Sequence, residues 1–187
     1  KKGECSLEGS RHIAIIGTRN STEYGERICE KIINYLSNCS PKPVIISGMA
    51  LGIDTCAHKS ALKYGLKTIA IMGTGFGTIY PPSNLNLSNK ISKSGCLITE
   101  YGNNIPSFPL NFARRNRIIA GLSDAVILCE SKEKGGGIIT SKLAFEYNRV
   151  VFAVPGRITD DNFKGCNSLI EQQIANIITD ASTITNH

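Results

Sequence analysis

The chain has 187 residues, of which 41% are hydrophobic and 19% charged. That composition fits one globular domain with a proper core and excludes a disordered chain. The net charge of +6 allows a polyanionic partner without requiring one, and no apolar run approaches the length of a membrane span.

In chain order, solidly apolar β-branched runs alternate with helical patterns. Residues 13–17 form the first run, and Thr22 is placed to cap a helix carrying Ile28, Ile32 and Leu36 on one face. The run 44–47 follows, then a helix capped by Asp54, bearing Ala57, Ala61 and Leu62 and ended by Gly65. After the run 68–72 comes a long stretch, 73–93, that reads as irregular. The run 96–99 precedes a short helix expected over 115–120 and stopped by Gly121. Then come the run 125–129, a helix after Thr140 that includes Ala144 and Phe145, and the run 150–154. A short amphipathic helix is expected over 168–176, with Ile177 and Ile178 docking behind it.

Runs apolar on both faces belong to buried parallel strands. Their alternation with helices predicts an α/β domain: an extended Rossmann-like, three-layer fold with a mostly parallel sheet. The expected division is a lead-in over 1–12, the domain over 13–180 and a tail over 181–187. No signal peptide precedes the first strand, and the abrupt polar start suggests a segment of a longer protein. The seven cysteines are odd in number and none are spaced C-x-x-C, so neither a disulfide framework nor a zinc site is expected, and a reducing cytoplasm is.

Ligands of such sheets sit beyond the carboxyl ends of the strands. Those ends carry Gly17-Thr18-Arg19, Ser47-Gly48, Gly73-Thr74-Gly75, Glu100-Tyr101-Gly102, Glu130 with Gly135-Gly136-Gly137, and Pro155-Gly156-Arg157. Repeated glycines there let backbone N–H groups and helix N-termini approach a phosphate. The basic element is Phe112-Ala113-Arg114-Arg115-Asn116-Arg117, whose arginines are expected to fan out near a helix start. Arginine forks onto phosphate, and an exposed Phe112 would stack a base; as a core residue it would not.

These motifs resemble, in order, the DNA-processing protein A (DprA/Smf) family. Residues 13–19 are similar to its opening strand and Gly-Ser/Thr-Arg turn, with Tyr24-Gly25 following. Residues 46–58 resemble its Ser-Gly-x-Ala-x-Gly-Ile-Asp…Ala-His block, and Gly73-Thr74-Gly75 with Tyr80-Pro81 its next segment. Residues 112–122 resemble its Phe-Pro-x-Arg-Asn-Arg-Ile-Ile-Ala-Gly-Leu block, with Ala113 in place of proline. Ile139-Thr140, Ala144, Arg149 and Val154-Pro155-Gly156 complete the match.

The resemblance implies single-stranded DNA binding, homodimerisation and delivery of DNA to the RecA recombinase in DNA uptake, natural transformation and recombination. No catalysis, cofactor or metal is expected, since no catalytic pair with a nucleophile and no metal-ligand spacing is evident. The DNA- and phosphate-binding residues it implies, with the strand-end reading, are Gly17, Thr18, Arg19, Ser47, Gly48, Gly73, Gly75, Phe112, Arg114, Arg115, Asn116, Arg117, Gly136, Gly137 and Thr140.

Three other functions are open to an α/β domain of this kind. A dinucleotide oxidoreductase needs Gly-x-Gly-x-x-Gly after the first strand, which here gives only Gly17. A phosphoribohydrolase-like, nucleotide-cleaving protein needs a glutamate three residues past Thr140, where Leu143 stands. Glu146 is expected to be solvated, Asp54 to be a helix cap and His58 a packed or capping side chain. A nucleotide sensor would use the same glycine-lined edge.

Overall fold

The computed structural model describes residues 1–4 and 9–184. Eight strands form one sheet: β1 (Lys2–Gly3), β2 (His12–Gly17), β3 (Val44–Ser47), β4 (Thr68–Ile71), β5 (Cys96–Ile98), β6 (Ala125–Glu130), β7 (Val150–Ala153) and β8 (Asn176–Ile177). Their order across the sheet is β1-β5-β4-β3-β2-β6-β7-β8, all parallel except the β1–β5 pair. Six helices connect them: α1 (Glu23–Ser37), α2 (Ile53–Lys63), α3 (Leu85–Ser94), α4 (Pro109–Leu122), α5 (Gly136–Glu146) and α6 (Lys164–Glu171).

Strand order runs one way from β2 through β3, β4 and β5, and the other way through β6, β7 and β8. Right-handed crossovers therefore put α1, α2 and α3 on one face and α4, α5 and α6 on the other. The packing agrees, α1 lying on α2, α2 on α3, α4 on α5 and α5 on α6. This is the expected three-layer Rossmann-like fold. The order reverses between β2 and β6, the place where such sheets leave a crevice at their carboxyl edge.

The core is aliphatic. Ile13–Ile16, Ile45, Ile46 and the β6 side chains from Ala125 to Cys129 are almost wholly removed from water, with Cys29, Ile33 and Leu36 of α1 against them. Burial on both faces is what their unbroken apolar runs require. Thr22 caps α1 as expected, its Oγ1 accepting from Gly25 N at 3.0 Å, and Gly65, at φ 68°, ends α2.

Several expectations are corrected. The stretch 73–93 is not wholly irregular, because α3 begins at Leu85 and buries Leu87, Ser88 and Ile91 on one side. Helix α4 begins six residues before the expected Arg115, at Pro109, a residue well suited to the first helical position. The C-terminal helix covers Lys164–Glu171 and so starts earlier than 168. Asp54 is not the cap of α2, which starts at Ile53 behind Gly52. Cys96 is disulfide-bonded, which the count and spacing of the cysteines did not indicate, while Cys29, Cys39, Cys56, Cys129 and Cys166 are free. Among the described residues no helix is long and apolar enough to cross a membrane, and no group of His, Cys, Asp and Glu is arranged to hold a metal ion.

Candidate nucleic-acid interface

A cavity of about 360 Å³ opens at the point where the strand order reverses. The turn after β2 supplies Gly17, Thr18 and Arg19 to one wall. The segment between β6 and α5 supplies Ser131, Lys132, Lys134 and Gly135 to Gly137, with Thr140 one turn further on. The third wall is α4, through Pro109, Phe112, Ala113 and Asn116. Arg19, Lys132 and Lys134 are exposed, so three cations border the space.

The helix termini around this edge differ. At α1, Thr22 Oγ1 donates to Glu130 Oε2 at 3.0 Å, and Thr22 N donates to the same carboxylate at 3.0 Å. Glu130 is fully buried, and this arrangement balances its charge against the positive end of α1. At α2, Ile53 N donates to Thr18 O at 3.2 Å and Ala50 N to Asp54 Oδ2 at 3.3 Å. At α5 no side chain caps the start, and Gly135 and Gly136 are exposed. A bare, cationic-flanked helix start of this kind accepts an anion.

The basic element divides. Arg115 does not fan outwards: it is 3% exposed and donates to the carbonyls of Gly48 and Ile71 at the tips of β3 and β4. Asn111, Arg115 and Ile119 are four apart, one buried stripe of α4. Burial lowers the Arg115 pKa to about 10, the Asp54 carboxylate partly restoring it. The group stays charged at neutral pH. Burial also raises Asp54 from its ordinary value, against the pull of Arg115. His58 is packed, as expected; its Nδ1 lies 2.7 Å from Thr68 Oγ1, and burial, with Arg115 nearby, lowers its pKa to about 3. Arg117 is ion-paired with Glu100, and Arg114 is exposed; neither lines the cavity.

Phe112 is half-buried and lines the cavity. The Arg19 guanidinium carbon sits 5.9 Å from its ring centroid, and the Tyr80 ring lies at 5.2 Å. Cation and ring thus hold each other at the rim. Of the residues expected at the site, Gly17, Thr18, Arg19, Phe112, Arg115, Asn116, Gly136, Gly137 and Thr140 come together. Ser47, Gly48, Gly73 and Gly75 lie outside the lining. Ser47 is buried and donates to Ile15 O at 2.6 Å. A Cβ on Gly48 would stand 2.6 Å from Arg115 Nη1, and one on Gly73 2.6 Å from Phe112 Cδ1. Those two glycines make room for the protein's own side chains.

Lys132 and Lys134 were not foreseen, although they follow a strand end directly. Leu143 is half-buried, and Glu146, exposed at the end of α5, is not among the cavity residues.

Residues 1–187 match the family model described as DNA recombination-mediator protein A. The chain is 40% identical over 183 residues to DNA processing protein DprA of Streptococcus pneumoniae, and 40% identical over 174 residues to that of Bacillus subtilis. It covers 98% and 91% of itself in these matches but only 64% and 57% of the relatives' lengths. The structure of DNA processing protein A from S. pneumoniae superposes with a TM-score of 0.94 at 39% identity, over all of this chain and 64% of that one. That of Helicobacter pylori DNA processing protein A, described for its single-stranded DNA binding mode, superposes with a TM-score of 0.89 at 31% identity, over 99% of this chain and 83% of that one. A molybdenum cofactor binding protein from Rippkaea orientalis, 16% identical with a TM-score of 0.68, shares the fold alone; the match covers 96% of this chain and 95% of that one.

Proposed function

Because this chain belongs to the DNA recombination-mediator protein A family, we propose that it binds single-stranded DNA, without altering it chemically, in the cleft between β2 and β6. The observation that carries this reading is the convergence of Arg19, Lys132 and Lys134 on the uncapped start of α5. Arg19 and the two lysines take successive phosphates, and N–H groups of Gly136 and Gly137 take one of them end-on. Phe112 offers its half-exposed ring to a base. Arg115 contributes from beneath, by holding the tips of β3 and β4, rather than as a phosphate ligand. Gly17, Thr18, Asn116 and Thr140 shape the cleft.

The whole protein, on this reading, works in the cytoplasm as a homodimer and hands the bound strand to the RecA recombinase in DNA uptake and recombination. The relatives' names as DNA processing proteins and the DNA-binding mode described for the H. pylori protein support the DNA-processing part of this reading.

A gel-shift comparison of single-stranded and duplex oligonucleotides over a salt series tests the cleft. The single strand should bind better, and affinity should fall steeply and linearly in log salt as counterions are released. The Arg19→Glu, Lys132→Glu, Lys134→Glu triple variant should weaken every base sequence alike. Equal or tighter binding of duplex, or a loss confined to one sequence, would remove the phosphate account.

A further inference from the structure

A second cavity, of about 650 Å³, opens beside the first at the same sheet edge, between the start of α1 and the segment after β7. Tyr24 of α1, 44% exposed, forms one wall. Phe163 backs it edge-on, with ring centroids 5.6 Å apart at 68°. Pro155, Gly156 and Arg157 form another wall. That wall is fixed in place: Gly156 N donates to Asn167 Oδ1 at 3.0 Å and Asn167 Nδ2 donates back to Gly156 O at 3.1 Å. A Cβ on Gly156 would stand 2.1 Å from Phe163 Cβ, so glycine is what lets that ring pack. Arg157 is exposed and in no ion pair among the described residues. Asp160 also borders the space, with its carboxylate accepting from Asn162 N at 2.9 Å.

The two cavities follow one another along the segment between β2 and α1 and have no lining residue in common. Thr18 and Arg19 line the first, Thr22 and Tyr24 the second. From Arg19 to Thr22 the chain can span at most about 11 Å. On the other side, Gly165 N donates to Ser131 O at 2.9 Å, which brings the start of α6 against the segment bearing Lys132. A strand leaving the first cavity therefore meets the second across a short ridge.

We propose, resting on the single-stranded DNA reading above, that this second cavity is a further subsite for the same strand: Tyr24 stacks a nucleobase and Arg157 pairs with the adjoining phosphate. A flat aromatic wall accepts any base, which suits a protein without sequence preference. An extended peptide would need free backbone groups to pair with, and those of Gly156 are committed to Asn167. What the cavity has to offer is ring surface and the Arg157 cation, with the Asp160 carboxylate engaged by Asn162 N.

The test is equilibrium anisotropy of the full chain with labelled oligothymidylates of increasing length. Wild-type affinity should rise as the oligonucleotide grows long enough to reach both cavities. Tyr24→Ala should weaken the long oligonucleotides about 5- to 100-fold and leave the shortest that binds unchanged, while Tyr24→Phe retains the wild-type gain. Arg157→Gln should reduce the salt slope by about 0.7 on long oligonucleotides only. If the wild type binds no oligonucleotide, the single-stranded DNA reading itself fails. If it binds and Tyr24→Ala matches it at every length, or loses equally at every length, the second subsite is overturned. Should Tyr24→Ala fail to fold, 5-iodouracil photocrosslinking of the wild type decides: an adduct on Tyr24 is expected, and none would overturn the assignment.

Discussion

The carboxyl edge of the sheet has two halves that share a glycine-rich sequence and differ in what fills them. Over β3 and β4, the space beside Gly48 and Gly73 is taken by Arg115 and Phe112. Over β2 and β6, Gly135 and Gly136 face open space, with only Ser131 Oγ at 3.5 Å and Asn116 Nδ2 at 3.8 Å from an added Cβ. A glycine at a strand end thus serves either internal packing or an approaching ligand, and only the neighbouring side chains decide which. The same holds for the arginines, since Arg115 is an internal clamp and Arg19 a rim cation.

The largest contrast should come from removing those two arginines. Arg115→Ala leaves Asp54 buried without its counter-charge and two carbonyls without a donor. It should cost about 3–5 kcal/mol of stability in denaturant unfolding. Arg19→Ala should unfold like the wild type yet bind single-stranded DNA about 10- to 100-fold more weakly. Equal stability of the two variants would erase the division between the halves.

The filled half should also respond to acid. His58, with a folded pKa of about 3 against an ordinary 6.5, is held neutral by burial and by Arg115. The unfolded chain binds its proton first, so the stability His58 contributes is complete above pH 6.5 and is lost as pH falls towards 3. Asp54, raised above its ordinary 3.8, runs the opposite way over the window just above that value and offsets part of the loss. The net effect should be on the order of a few kcal/mol in pH-dependent unfolding. His58→Asn, able to keep a bond to Thr68 Oγ1, should flatten the profile; an unchanged slope would put the acid sensitivity elsewhere.

The smallest contrast is between two glycines. Gly73→Ala drives a methyl into Phe112 and should lose about 1–3 kcal/mol in thermal unfolding. Gly136→Ala has room and should stay within about 0.5 kcal/mol of wild type, while its methyl intrudes where a phosphate would sit and lowers DNA affinity. Loss of stability at both positions would mean that the β2–β6 half is packed as tightly as the other.

Most of this frame was legible in the sequence, because six strands buried on both faces leave six unbroken apolar runs. The two-residue strands Lys2–Gly3 and Asn176–Ile177 carry no periodicity and could not be read. Helix α3 was hidden by its Asn, Ser and Lys content, although Leu87 and Ile91 are one turn apart. The rim residues of the cleft were legible as strand ends. The fate of Arg115 was not, because starting α4 at Arg115 instead of Pro109 hid its place in a stripe with Asn111 and Ile119. Even with the right start, the Gly48 and Ile71 carbonyls that receive it come from strands far away in the chain. Lys132 and Lys134 follow a strand end directly, but the glycines beside them are the stronger signal in that segment.

The bare start of α5 has a consequence for the loaded state. Whereas α1 is finished from within by Thr22 and Glu130, the start of α5 has no side-chain cap, and on the proposed reading its last component arrives from outside. A polyanion settling there completes a secondary-structure element as well as filling a cleft. Because such a ligand binds the folded state and not the unfolded one, occupancy and melting temperature rise together.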